Sequence, residues 1–155
     1  MLKFYNFDIV FQEIPEETTL AVNLTNCPNH CKNCHSPHLW VDTGTPLEEK
    51  NFQTLLSPYM NAITCFCFMG GDAEPAAVNH LAFFIRIHYP NLKIGWYSGR
   101  NKISPEIEFS NFDYIKIGAY QEEDGSLKSR TTNQHLYKIL PSGEKLDITS
   151  KFWKH

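Results

Sequence analysis

Apolar residues along the 155-residue chain fall mostly into runs of strand length, and two stretches carry helical spacing instead. Thr18 to Thr25, rich in Thr, Leu and Val, predicts a first buried strand. Ile63 to Met69 is a continuous apolar run, the pattern of a parallel strand covered on both faces. Lys93–Tyr97 and Phe112–Gly118 predict a third and a fourth strand. Between the first two lies a helix pattern, with Thr45 as cap, Pro46 in the first position and Glu48 three residues after the cap. Leu47, Phe52, Leu55 and Leu56 form its apolar face, and Pro58 stops it. A second helix is predicted from Pro75 to about Tyr89, with Val78, Leu81, Phe84, Ile85 and His88 at helical spacing.

The remaining segments are less regular. Residues 1–18 read as a short mixed segment ending in an exposed loop, because Pro15 stands among Glu13, Glu16 and Glu17. Ser104-Pro105-Glu106 can start one short helix. After an acidic loop at 121–125, the stretch Leu127 to Leu140, the turn Pro141-Ser142-Gly143 and Lys145 to Phe152 predict a terminal hairpin. Strands alternating with helices imply a mostly parallel sheet with right-handed crossovers. Three or four such units cannot close an eight-stranded barrel, which takes about 250 residues. The expected fold is therefore α/β, an open partial (β/α) barrel of mostly parallel strands with a C-terminal hairpin, as one domain over 1–155.

Composition narrows the classes. With 42% apolar residues the chain can bury one good core, and its formal charge of -3 gives no basic field for nucleic acid. No apolar run approaches the roughly 20 residues that span a bilayer, and the N-terminus lacks the blocks of a signal peptide, so a cytoplasmic protein is expected. Five cysteines, an odd number, point to metal binding or buried thiols before disulfides.

The chemistry concentrates in Cys27-Pro28-Asn29-His30-Cys31-Lys32-Asn33-Cys34, a C-x3-C-x2-C run directly after the first strand. Three thiolates can satisfy three irons of a four-iron cluster and leave one iron open, whereas an electron-transfer cluster is normally held by four cysteines. The same thiols with His30, His35 or His38 could instead form a tetrahedral zinc site, the lesser of the two readings. Cys65 and Cys67 alternate with Phe66 and Phe68 inside an apolar strand and read as core. Gly70-Gly71-Asp72 is either a plain strand-to-helix turn or a close approach of backbone to a ligand, with Asp72 able to accept hydrogen bonds from an amine. Arg130, Asn133 and Gln134 are either a polar strand face or part of the site. Each motif follows a predicted strand: the cysteines the first, Gly70-Gly71-Asp72 the second, Ser98-Gly99-Arg100 the third and Gly118-Ala119-Tyr120 the fourth. Ligands of parallel α/β sheets gather at that end.

Taken together, the C-x3-C-x2-C run and Gly70-Gly71-Asp72 resemble the radical S-adenosylmethionine (SAM) superfamily. More narrowly, the chain is similar to activating proteins of anaerobic ribonucleoside-triphosphate reductase, relatives of the pyruvate formate-lyase activating enzyme. Trp96-Tyr97-Ser98-Gly99-Arg100 resembles the family's aromatic-Thr-Gly-Tyr segment, and Ser129-Arg130-Thr131-Thr132-Asn133-Gln134 its Arg-Gly-Ser-Ser-Asn-Gln segment. The resemblance implies a radical SAM type of barrel and a four-iron four-sulfur cluster on Cys27, Cys31 and Cys34. It implies SAM held by Gly70, Gly71, Asp72 and Ser98. It further implies a glycyl radical made on a large partner enzyme such as the anaerobic ribonucleotide reductase, fed by a flavodoxin-like or other low-potential electron donor. No membrane or direct nucleic-acid partner is expected. The chain departs from the family at His35, where an aromatic is usual, and at Ile14-Pro15-Glu16-Glu17, where Gly-Pro-Gly is. Ala73-Glu74 stand before Pro75, and Thr131 and Thr132 replace Gly and Ser. Two alternatives stay open: a radical SAM enzyme acting on another protein or peptide, and a non-catalytic zinc or iron-sulfur module.

Overall fold

The computed structural model describes residues 1–29 and 37–153. Its strands are β1 (Lys3–Val10), β2 (Thr19–Leu24), β3 (Thr45–Pro46), β4 (Cys65–Met69), β5 (Lys93–Tyr97), β6 (Tyr114–Ile117), β7 (His135–Ile139) and β8 (Lys145–Asp147). Two α-helices occur among the described residues, α1 (Glu49–Leu56) and α2 (Pro75–His88). All eight strands join one sheet in the order β3-β1-β2-β4-β5-β6-β7-β8. No helix among the described residues is long and apolar enough to cross a membrane.

The expected open partial (β/α) barrel of mostly parallel strands is corrected by this topology. The β2–β4, β4–β5 and β5–β6 pairings are parallel, but β1–β2, β1–β3, β6–β7 and β7–β8 are antiparallel and outnumber them. The fold is a single mixed sheet, parallel at its centre and antiparallel at both flanks. Connection length explains two of these pairings: a parallel crossover needs a dozen or more residues, and the short links from β1 to β2 and from β7 to β8 allow only reversal. Helices are also fewer than the alternation implied. The link from β5 to β6 holds only a 3-10 turn at Phe109–Asn111.

Local corrections have physical causes. Residues 3–10, read as mixed, pair along the whole of β2, with Val10 opposite Thr19 and Phe4 opposite Leu24. Thr45 and Pro46, expected to start a helix, instead pair with Phe4 and Lys3. The helix begins three residues later, and Asn51 supplies its capping bond by accepting the Glu48 backbone N–H at 2.9 Å. The loop at 11–17 is only partly exposed, because Ile14 is fully buried. Gly95 makes room for it: a Cβ there would lie 2.7 Å from Ile14 Cδ1.

Alternation along the strands sorts the core into two layers. Leu20, Val22, Phe66, Phe68, Ile94, Trp96 and Ile115 face α1 and α2. Cys65, Cys67, Tyr114 and Leu136 face the other way, against Ile14, Leu127 and Ile148.

Candidate functional site

The C-terminal ends of β2, β4, β5 and β6 lie along one edge of the sheet, because these strands run parallel. β7 runs the opposite way, with His135 opposite Ile117, so the residues just before it arrive at the same edge. Sequence motifs from 25–29, 70–72, 98–100, 118–120 and 133–134 are thereby gathered.

Cys27 is held at this edge by backbone. Asn26 sits at a φ of 60°, a left-handed conformation that asparagine tolerates. Its N–H donates to the Val41 carbonyl at 3.1 Å, and the Cys27 N–H donates to the Leu39 carbonyl at 2.9 Å. Cys27 is half-buried. Cys31 and Cys34, with His30 and His35, lie outside the described residues.

Asp72 is the node of the edge. It is 7% exposed, and it accepts from Ser98 Oγ at 2.6 Å, the Gly99 N–H at 2.8 Å and Asn29 Nδ2 at 2.7 Å. Three donors from two loops thus occupy most of the roughly four acceptor positions of a carboxylate. The two preceding glycines differ in purpose. Gly71, at a φ of 93°, is dictated by packing, since a Cβ would lie 2.6 Å from Val78 Cγ2. Gly70 borders open space: it lines a cavity, while its carbonyl accepts from Trp96 Nε1 at 2.7 Å.

That cavity measures about 570 Å³ and lies on the side of the sheet away from the helices, where Asn23, Met69, Tyr97 and Lys116 converge. Its size falls within the roughly 300–1,000 Å³ typical of small-molecule sites. Leu39, whose carbonyl holds Cys27, lines it too. Lys116 brings a buried ammonium to the wall, donating to the Ser98 and Gly118 carbonyls at 3.1 and 2.9 Å. The Tyr97 hydroxyl donates to the Glu13 carbonyl. Burial, and then the neighbouring Cys67 and Glu13, push the Tyr97 phenol well up, so it stays neutral.

The Arg130 to Gln134 segment divides. Gln134 is buried and donates to the Gly118 carbonyl at 3.4 Å, and Asn133 donates to the Ala119 carbonyl at 2.9 Å. Arg130 turns outward, its guanidinium 5.7 Å from the Trp153 ring. Cys65 and Cys67 are fully buried in β4, and burial raises both thiols above their ordinary range. Asn29 and Lys116 were not singled out from sequence. The signal for Lys116 was present, a lone charge inside the apolar strand Tyr114–Ile117; for Asn29 there was none, since Asn suits any turn.

Compared with known proteins, the chain matches no family model, no curated protein and no solved structure.

Proposed function

We propose that the chain is a radical SAM activating enzyme that binds a four-iron four-sulfur cluster through Cys27, Cys31 and Cys34 and generates a glycyl radical on a large anaerobic ribonucleotide reductase. The observation that carries this reading is the gathering of the loops of Cys27, Gly70 and Asp72 at one edge of the sheet, where Asn29 joins the cysteine loop to Asp72 at 2.7 Å and Gly70 lines the cavity. The donor set fits the cluster: soft thiolates suit iron-sulfur centres, and three of them leave one iron for a substrate. The chemistry such a cluster supplies is one electron to the sulfonium of SAM, which parts into methionine and a 5'-deoxyadenosyl radical able to take a hydrogen atom from a glycine.

The chain's own residues bind and orient. Gly70 lets the amino end of SAM approach the backbone, while Gly71, Asp72 and Ser98 fix the wall behind it. Lys116 adds positive charge to a cavity that receives a carboxylate. Met69, Leu39 and Leu127 supply apolar wall to the cavity, which would limit the access of water to a radical formed there. A low-potential donor such as a flavodoxin would supply the electron.

Anaerobic reconstitution followed by iron analysis and dithionite reduction with SAM tests the reading. Iron bound in a wild-type protein that forms 5'-deoxyadenosine is expected, with iron lost in Cys27→Ala, Cys31→Ala and Cys34→Ala. Zinc without iron, or an intact cluster that leaves SAM uncleaved, would overturn it.

A further inference from the structure

We infer that Asn29 tunes the cluster by donating its side-chain amide N–H to the Cys27 sulfur, with Asp72 and Gly99 as the positioning residues that hold the amide there; this rests on the cluster reading above. Asn29 Nδ2 lies 2.7 Å from Asp72 Oδ2 and 3.8 Å from Cys27 Sγ. A primary amide carries two N–H donors, enough to serve both acceptors at once. The Asp72 contact also settles which end of the amide faces the sulfur's side: the reverse orientation would set a carbonyl oxygen against a carboxylate oxygen.

Asp72 is itself immobilised. Ser98 Oγ occupies its Oδ1 at 2.6 Å, and the Gly99 N–H shares Oδ2 at 2.8 Å. Gly99 has a second part to play, since a Cβ at that position would lie 2.7 Å from Asn29 Nδ2. The amide therefore lies in a slot that only glycine leaves open, pressed between the 98–99 backbone and the carboxylate. Nothing else at this turn requires glycine at 99, whose φ lies outside the left-handed region.

Hydrogen bonds to cluster sulfurs are among the levers that set reduction potential, because they stabilise the more negative, reduced state. Asn29 thus makes the cluster easier to reduce. The linkage also gives Asp72 a task besides any contact with SAM: it transmits the positions of the loops after β4 and β5 to the metal ligand after β2.

The test uses the full chain, reconstituted anaerobically without SAM, with iron content measured first and the reduced cluster then followed by electron paramagnetic resonance across a redox titration. Wild-type protein without iron would sink the cluster reading itself, which separates that failure from failure of the present inference. Asn29→Ala and the near-isosteric Asn29→Leu are expected to keep wild-type iron and to lower the ratio of reduced to oxidised cluster about tenfold at a fixed potential, or about 59 mV for one electron. Gly99→Ala should do the same in the wild-type background and nothing further in Asn29→Ala, because both changes remove one bond. An unchanged midpoint in both Asn29 variants overturns the tuning role, as does loss of iron in both. A Gly99→Ala shift that persists undiminished in Asn29→Ala overturns the positioning role.

Discussion

The two faces of the sheet are made from the same strands, yet they are built for different ends. On the helix-covered face, β4 contributes Phe66 and Phe68, and rings stack edge-on from Phe68 through Phe66 to Phe52 at 5.0 and 5.1 Å. On the opposite face, the same strand contributes Cys65, Cys67 and Met69, and its neighbours contribute Gly95, Tyr97 and Lys116. One face is filled with large apolar groups that interlock. The other packs small and sulfur-bearing groups against Ile14, Leu127 and Ile148, and leaves space only at the edge where Met69, Tyr97 and Lys116 lie. A period-two alternation is thus enough to separate an interlocked aromatic face from one that holds a cavity within a single layer of backbone.

The largest test of the contrast is Phe66→Ala, expected to cost about 3–5 kcal/mol, because a fully buried aromatic is removed from interlocking rings. Urea denaturation would measure it, and a cost near that of an ordinary surface change would break the distinction. Gly95→Val attacks the other face, where the new side chain meets Ile14 Cδ1 and Cys67 Sγ. Overpacking of this kind costs about 1–3 kcal/mol. Ile14→Ala should recover part of that loss in the double variant, and strict additivity of the two would mean that the side chains do not collide.

Asp72→Ala is expected to weaken SAM binding about tenfold, or roughly 1.4 kcal/mol, with iron retained. Equilibrium dialysis against reconstituted protein gives the number, and unchanged affinity would remove Asp72 from the binding wall. The smallest effect lies in the alkaline limb of stability. Burial keeps the Cys65 and Cys67 thiols neutral in the folded chain, Glu17 adding to the effect at Cys65, whereas unfolded cysteines ionise near about 8.5. The folded state then holds more protons above that pH, so stability is full below about 8.5 and falls as pH rises. Cys67→Ala should flatten this slope and leave iron content alone; a slope unaltered in that variant would place the alkaline loss elsewhere.

Much of this was legible in the chain. β5 falls on Lys93–Tyr97 as its apolar run predicts, and α2 starts at Pro75 and ends one residue before Tyr89. These segments carry strong local signals, and the core confirms them. β1 was not legible, because none of its eight residues is fully buried and its pairing with β2 is decided by tertiary contact. Thr45-Pro46 carried a helix-start signal that strand pairing at Lys3 and Phe4 overrode. Reading parallel neighbours into a partial barrel failed for a related reason: periodicity shows that a segment is a strand but not which way its neighbour runs. The gathering of the 25–29, 70–72 and 98–100 loops was legible, since all three follow parallel strands. The Asn29 bridge was not, because it depends on a contact across 43 residues of sequence.

The backbone bonds from Asn26 to Val41 and from Cys27 to Leu39 form a stem beneath the cysteine loop. Closing a flexible loop costs an entropy that grows with the logarithm of its length. Here the stem joins residues 26–27 to 39–41, so part of that closure cost is met by backbone bonds outside the loop itself. On the cluster reading proposed above, loop sequence could then change metal affinity while the stem and the sheet beneath it stay as they are.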